Sequence, residues 1–229
     1  MLYLKRLIKS NPSILKMIID YCLYPLRTTH ADHLKRFLGE ENSLLQQLTR
    51  KSVHYEKIVN RFFMMSPGIS QDLGNFDLQE KRLLLMDGDF LEKAVFATGI
   101  AICSRGIARE VRGDRVRRLK EHLDQKWYLF ALKKALFFFA SLDVEVPLPH
   151  DLSDFPRECF FQGFSVWKRV LEPTGATSFE SLLTRFPPDL ADVGRSVSPF
   201  PLPQEKAFNI VKRVVKNLEG GSRWLSLLE

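Results

Sequence analysis

Residues 90–109 read FLEKAVFATGIAICSRGIAR, and small side chains recur along this stretch at steps of three and four residues. The small residues are Ala94, Ala97, Ala101, Ser104 and Ala108. On an α-helix these positions share one face, and small side chains there let a second helix approach closely. Gly99 and Gly106 each cost about 1 kcal/mol relative to alanine inside a helix, which close packing can offset. The stretch therefore predicts a helix at the centre of the core.

The rest of the chain also has a helical pattern, because apolar residues recur every three or four residues and strict alternation is rare. Besides 90–109, helices are predicted over 12–24, 29–38, 42–62, 127–142, 157–171, 178–185, 204–218 and 222–228. Helix breaks are expected at 87–89, at 112–114 and near Asp124, where aspartate can cap the next helix. Segments rich in proline or glycine connect the helices.

These patterns predict an all-α fold without a substantial sheet. We expect a single compact multi-helix domain over 1–229, joined by short connectors rich in proline and glycine. Within it, 1–75 can form an N-terminal helical lobe beside a core over 76–229. No internal repeat of 20 to 50 residues is visible in the sequence, which disfavours a solenoid.

The composition is that of a globular protein that is only modestly basic. The chain has 229 residues, 45% of them hydrophobic, and 34 Lys and Arg against 27 Asp and Glu give a net charge of +7. This balance argues against a disordered or fibrous chain. Three widely spaced cysteines fit neither a disulfide framework nor a zinc ribbon. The N-terminal apolar stretch is broken by charges, so we expect no signal peptide and a cytoplasmic, reducing environment.

Common catalytic motifs are missing from the sequence. It has no phosphate-binding Gly-x-x-x-x-Gly-Lys loop, no His-Glu-x-x-His zinc helix and no Gly-x-Gly-x-x-Gly turn. Residues 163–167 begin like a nucleophile elbow, but Trp167 replaces its second glycine. His30, His33 and Cys22 could reach one metal, although a solvated helix face explains the two histidines as well. We expect neither an enzyme nor a bound cofactor.

Positive charge is concentrated in residues 105–120, which carry seven basic residues against Glu110 and Asp114, a net +5. The basic residues are Arg105, Arg109, Arg112, Arg115, Arg117, Arg118 and Lys120. Arg105, Arg109 and Arg112 share one face if the helix continues that far. The cluster can be a solvated face paired with the acidic stretch 72–92, a docking site for an acidic protein, or a site for nucleic acid or anionic lipid. Arginine suits carboxylate and phosphate partners alike.

The segment 127–142 is strongly amphipathic, with aromatic and leucine side chains on one side and Lys133 and Lys134 on the other. Burial in the core is the favoured interpretation of its apolar face. A surface groove for a partner helix is the alternative, since phenylalanine-rich faces occur in both settings.

The middle and C-terminal parts of the chain resemble the SctK family, which includes YscK and PscK. The first group of matching residues is Lys81-Arg82-Leu83-Leu84-Leu85, Phe90-Leu91, Gly99-Ile100-Ala101-Ile102, Ile107, Arg109, Val111, Val116 and Leu119. The second group is Gly163-Phe164-Ser165-Val166-Trp167, Leu171-Glu172-Pro173, Leu183-Thr184-Arg185-Phe186-Pro187 and Val211-Lys212-Arg213-Val214-Val215-Lys216. The resemblance covers 81–218 in the family's order, and the N-terminal third matches poorly.

The resemblance implies a non-enzymatic adaptor of the type III secretion injectisome, a virulence-associated machine for protein transport. Family members join the cytoplasmic domain of the inner-membrane ring protein SctD to the pod protein SctQ in the cytosolic sorting platform, and so connect indirectly to SctL and the ATPase SctN. The implied location is cytoplasmic, peripheral at the inner membrane through the secretion apparatus. No residue role carries over from the family. Binding of nucleic acid or an anionic membrane surface is the alternative function.

Overall fold

The computed structural model describes residues 8–9, 11–39, 51–65, 76–138 and 146–228, with only the backbone of Ala176. Eleven α-helices lie in these residues: α1 Ser13–Leu23, α2 Ala31–Leu38, α3 Val53–Met64, α4 Gln79–Arg82, α5 Gly88–Arg109, α6 Gly113–Lys133, α7 Phe155–Leu171, α8 Ala176–Leu183, α9 Pro188–Ser196, α10 Gln204–Asn217 and α11 Ser222–Leu228. Short 3-10 helices occupy Pro25–Arg27, Leu83–Leu85, Ala135–Phe137 and Glu172–Thr174. The described residues form no strand, and the all-α prediction is confirmed.

The chain divides into two compact units. The first unit comprises Met1–Asp89, Leu171–Arg195 and Leu227–Glu229, and the second comprises Phe90–Val170 and Ser196–Ser226. Each unit is therefore assembled from segments that are distant in sequence. The division into units does not test the single-domain organisation, with a lobe over 1–75 and a core over 76–229, which stays a prediction.

The core of the second unit is built around α5. Thirteen of its residues are buried, and they occur on all sides of the helix rather than on one face. A side chain at Gly99 would collide with the carbonyl of Cys159, and one at Gly163 would collide with the carbonyl of Val95. The α5 and α7 backbones therefore touch at glycines on both helices, as expected for small residues at a close crossing. The prediction of a central, closely packed helix over 90–109 is confirmed, although Ala108 itself is exposed.

A buried hydrogen bond fixes the same crossing. The indole Nε1 of Trp167 donates to the hydroxyl of Thr98 at 3.1 Å, and both side chains are fully buried. The Thr98 hydroxyl in turn donates to the Ala94 carbonyl at 2.7 Å. Because a buried polar group without a partner is costly, this chain of donors favours one arrangement of α5 against α7.

Two arginines form part of the interior of the first unit. Arg82 is 2% exposed and donates to three backbone carbonyls, those of Phe76 at 2.8 Å, Asp77 at 2.9 Å and Leu227 at 3.1 Å. Arg185 is 6% exposed, donates to the Met86 carbonyl and lies over the ring of Tyr21. Burial lowers the pKa of Arg185 to about 10. Both side chains bind backbone segments together inside the unit.

Several helix boundaries differ from the sequence-based expectations. The helix α9 lies where the sequence predicts a connector from Pro187 and Pro188. Pro188 occupies the first helical position, where proline is well tolerated. The segment predicted as a helix over 127–142 ends at Lys133 and is followed by the 3-10 helix Ala135–Phe137. Residues 139–142 of that prediction, and 42–50 of the predicted helix 42–62, lie outside the described residues.

The expected break near Asp124 takes the form of a kink within α6. The backbone of Asp124 has φ 57° and ψ 168°, and its carboxylate accepts the Trp127 N–H at 3.1 Å. Aspartate therefore caps the second half of the helix, as its capping preference predicts. The expected breaks at 87–89 and at 112–114 are also present, since α5 begins at Gly88 and α6 at Gly113.

Candidate docking surface

The seven basic residues of the 105–120 cluster lie on two helices and the linker between them. Arg105 and Arg109 lie in the last turns of α5, whereas Arg115, Arg117, Arg118 and Lys120 lie in the first turns of α6. Arg112 lies in the linker 110–112, with extended backbone angles of φ −73° and ψ 118°. A common face of Arg105, Arg109 and Arg112 requires the helix to continue as far as Arg112. That condition is not met, because α5 ends at Arg109 and a new helix starts at Gly113.

Glu110 organises the linker between α5 and α6. Its carboxylate accepts the backbone N–H of Arg112 at 3.1 Å, the Nε of Arg112 at 3.3 Å and the Nε of Arg115 at 2.6 Å. The Arg115 hydrogen bond, followed by the Arg112 N–H, holds the pKa of Glu110 below its usual range. The linker thus keeps a carboxylate ionised within the basic cluster.

Arg115 has a structural role in the second unit. Besides Glu110, its guanidinium donates to the carbonyls of His150 at 2.6 Å and Pro149 at 2.8 Å, and the side chain is 12% exposed. It therefore attaches the connector around 149–150 to the start of α6. Since its donors already have acceptors within the chain, Arg115 is poorly placed to bind a partner.

The remaining exposed residues form what we call the arginine surface: Arg109, Arg112, Arg117, Arg118 and Lys120. Arg112 is 70% exposed despite its contact with Glu110, and the neighbouring Val111 is 87% exposed. The Lys120 ammonium lies 5.2 Å from the centroid of the Tyr128 ring. Arg105 is half-buried, so it belongs to the 105–120 cluster but not to the arginine surface. The arginine surface thus combines positive charge with one exposed aliphatic side chain.

The histidines considered as metal ligands have other contacts. The Nδ1 atom of His30 accepts the Asp32 N–H at 3.2 Å and so caps α2. Burial, and then the charge of Arg195, lower the pKa of His33. In the part of the chain that the structure describes, no group of three or more His, Cys, Asp or Glu residues is arranged to hold a metal ion.

The segment that resembles a nucleophile elbow lies in the middle of α7. Its Ser165 is buried and donates to the carbonyl of Ser198 at 2.6 Å, and Gly163 contacts the backbone of α5. A nucleophile elbow requires a sharp strand-to-helix turn, whereas these residues are continuous helix. Close packing explains Gly163, and a structural hydrogen bond explains Ser165.

Among the described residues, no helix combines the length and the apolar character needed to cross a membrane. No protein-family model, curated protein or solved structure matches the chain.

Proposed function

We propose that this chain is a non-enzymatic adaptor of the sorting platform of a bacterial type III secretion injectisome. In this role it joins the cytoplasmic domain of the ring protein SctD to the pod protein SctQ, at the cytoplasmic face of the inner membrane. The observation that carries the proposal is the ordered resemblance of 81–218 to the SctK family. An all-helical fold is compatible with it.

The location of the resembling residues limits what they can contribute. Most of the apolar ones are buried, including Leu83, Ile100, Leu119 and Trp167. Buried apolar residues determine packing, so they support a shared fold rather than a shared binding surface. Partner binding must come from exposed residues. Arg109 and Val111 are exposed among the matching residues, but no residue role carries over from the family.

The arginine surface is the proposed docking site for an acidic face of SctD or SctQ. Arginine is enriched in protein interfaces because its guanidinium pairs with carboxylates in a bidentate geometry. Arg117 and Arg118 are exposed neighbours on α6, and the exposed Val111 offers apolar contact nearby in sequence. Arg115 is excluded from the docking set because its guanidinium already binds Glu110 and the connector.

Reversal of two charges tests this surface. The Arg117→Glu/Arg118→Glu variant should bind the purified SctD domain or SctQ of its own system at least about tenfold more weakly, since oppositely charged contacts become repulsive. Isothermal titration calorimetry measures the affinity. The alternative docking surface is the basic C-terminal helix α10, over Lys206 to Lys216. The control variant Arg213→Glu/Lys216→Glu therefore reverses the same number of charges on α10.

Two outcomes would contradict the proposal. If the unmodified chain binds neither partner, the adaptor function is wrong. If binding is lost in the α10 control and retained in the Arg117/Arg118 variant, the docking site is on α10 instead.

Binding of nucleic acid or anionic membrane is the competing function for the same arginines. It predicts an affinity that falls steeply as salt rises, because binding releases counterions from the phosphates. Titration of the chain into duplex DNA, single-stranded RNA and phosphatidylglycerol vesicles at several salt concentrations distinguishes the two. Absence of binding at low salt would exclude this alternative.

A further inference from the structure

A basic groove lies within the second unit, and it shares no residue with the arginine surface. Its walls are the second half of α6, the turn between α10 and α11, and Lys93 of α5. Its volume is about 860 Å³. Cavities that bind ligands commonly have volumes of about 300–1,000 Å³, so the groove is large enough to accommodate several side chains.

Positive charge dominates the rim of the groove. Five cationic side chains line it: Lys93, Lys126, Lys133, Lys134 and Arg223. The two acidic lining residues are Asp124 and Glu219. The Asp124 carboxylate caps the helix by accepting the Trp127 N–H. Glu219 lies 3.3 Å from Lys126, but these side chains are 89% and 69% exposed, so water weakens their attraction. The groove therefore favours an anionic occupant.

We call the apolar lining residues, which are less exposed than the cationic ones, the floor of the groove. Trp127, Leu129, Phe130 and Leu218 contribute to its lining, and Trp127, Leu129 and Leu218 are partly exposed. The Trp127 ring meets Phe96 and Phe130 in edge-to-face contacts, with centroids 5.4 and 5.7 Å apart. These contacts fix the position of the indole and use part of its ring surface. Apolar side chains of an occupant can be buried on this floor.

Two residues with positive φ border the groove, and one of them is not a glycine. Asp124 is the one residue other than glycine with positive φ in the described part of the chain, and its angles, φ 57° and ψ 168°, fall in a region that is costly for any side chain. Gly220, with φ 79°, lies in the turn on the other wall. Asp124 is the strained position of the two, since glycine adopts positive φ freely. Strained residues persist only where the surrounding structure holds them, and they are found often at functional sites.

From these features we infer that the groove binds an acidic protein segment that carries an apolar anchor side chain. The cations of the rim pair with carboxylates of the segment, and the anchor side chain packs on Trp127, Leu129 and Leu218. Nucleic acid is a poorer fit, because the aromatic rings are packed against one another and leave less open face for stacking bases. The inference goes beyond the proposed function: it depends on the groove alone and not on the resemblance to the SctK family.

The experiment measures binding of a fluorescein-labelled peptide to the full chain by fluorescence anisotropy. The probe is a 12-residue peptide of Asp and Glu with one Leu and one Phe. We expect the Lys93→Glu/Lys126→Glu variant to bind it at least about tenfold more weakly than the unmodified chain. Both lysines are exposed, and circular dichroism verifies that the variant is folded.

A matched control separates groove binding from general attraction to a basic protein. Lys206→Glu/Arg213→Glu changes the same number of charges at exposed positions of α10 and should leave the affinity within about twofold. A peptide whose Leu and Phe are replaced by Ala should bind more weakly, because it leaves the floor uncovered.

Four results would overturn the inference. The first is that the unmodified chain does not bind the peptide, and the second is that the control variant loses as much affinity as the groove variant. The third is that the peptide without Leu and Phe binds with equal affinity. The fourth is groove-dependent binding that is tighter for a single-stranded oligonucleotide or for phosphatidylglycerol vesicles than for the peptide. None of them depends on SctD or SctQ, so the proposed function would be unaffected.

Discussion

Two arginines of the first unit and two arginines of the second unit serve opposite purposes. In the first unit, Arg82 and Arg185 are 2% and 6% exposed and donate to backbone carbonyls. In the second unit, Arg117 and Arg118 project from α6 as exposed side chains, and Arg115 is intermediate, since it is 12% exposed and bound to Glu110 and the connector. The same residue type thus stabilises a core in one place and offers a surface in another. The difference depends on whether backbone acceptors surround the guanidinium, and not on the residue itself.

The comparison predicts its largest effect at Arg82. Replacement by Met leaves the carbonyls of Phe76, Asp77 and Leu227 without their donor, and each unsatisfied buried acceptor costs about 1–3 kcal/mol. We expect Arg82→Met to lower the free energy of unfolding by about 3–5 kcal/mol, because the cost of three such acceptors exceeds the gain from no longer burying a charge. Urea denaturation followed by circular dichroism measures this change. The matched surface variant, Arg117→Met, should change it by less than about 0.5 kcal/mol. Similar losses in the two variants would contradict the distinction between buried and exposed arginines.

A smaller loss is expected at Arg185. Its Nη1 donates to the Met86 carbonyl, but its Nη2 is buried and has no hydrogen-bond partner among the described residues. The Arg185→Met variant therefore leaves one carbonyl without its donor, which lowers stability. It also removes a charge that is costly to bury, which raises stability, so the two effects oppose each other. We expect a decrease of about 1–2 kcal/mol in the free energy of unfolding. If Arg185→Met destabilises the protein as much as Arg82→Met, the number of carbonyl acceptors does not determine the loss in free energy of unfolding.

The smallest expected effect is on the pH dependence of stability, and it distinguishes Arg115 from its exposed neighbours. The folded pKa of Glu110 is depressed below its ordinary value of 4.5, chiefly by Arg115. A carboxylate with a depressed folded pKa stabilises the protein above the unfolded pKa, and that stabilisation is lost as pH falls through the folded pKa. The Arg115→Met variant should therefore lose less stability than the unmodified chain as pH falls below 4.5. Urea denaturation at a series of pH values measures this dependence; the Arg117→Met control should keep the dependence of the unmodified chain.

Much of the helical architecture could be predicted from local pattern. Gly99 stood out because a glycine inside a strongly apolar helix needs a close neighbour, and the carbonyl of Cys159 is that neighbour. Asp124 was recognisable as a cap. These features depend on residues adjacent in sequence or on the steric demands of one position. The all-α class follows from the spacing of apolar residues along the chain.

The features that were not predicted depend on contacts between distant residues. A count of charges treats Arg82 and Arg117 alike. The residues around Arg82 in the sequence do not indicate that its guanidinium binds the carbonyl of Leu227, 145 residues away. The basic groove combines Lys93, the second half of α6 and the turn at 217–220, and no one of these segments is unusual by itself. Lys133 and Lys134 were recognised as the polar side of an amphipathic segment, but Arg223 carried no signal that it would join them.

The contact between Arg82 and Leu227 also bears on the order in which the protein is made and folded. The first unit is complete only with Leu171–Arg195 and Leu227, whereas the whole of 90–170 lies between its parts in the chain. During synthesis, a ribosome therefore releases Arg82 long before its third acceptor exists. Until residue 227 has left the exit tunnel, that guanidinium lacks one of its buried partners. Synthesis of the first unit begins before that of the second. The first unit can nevertheless finish folding only after almost all residues of both units have been translated.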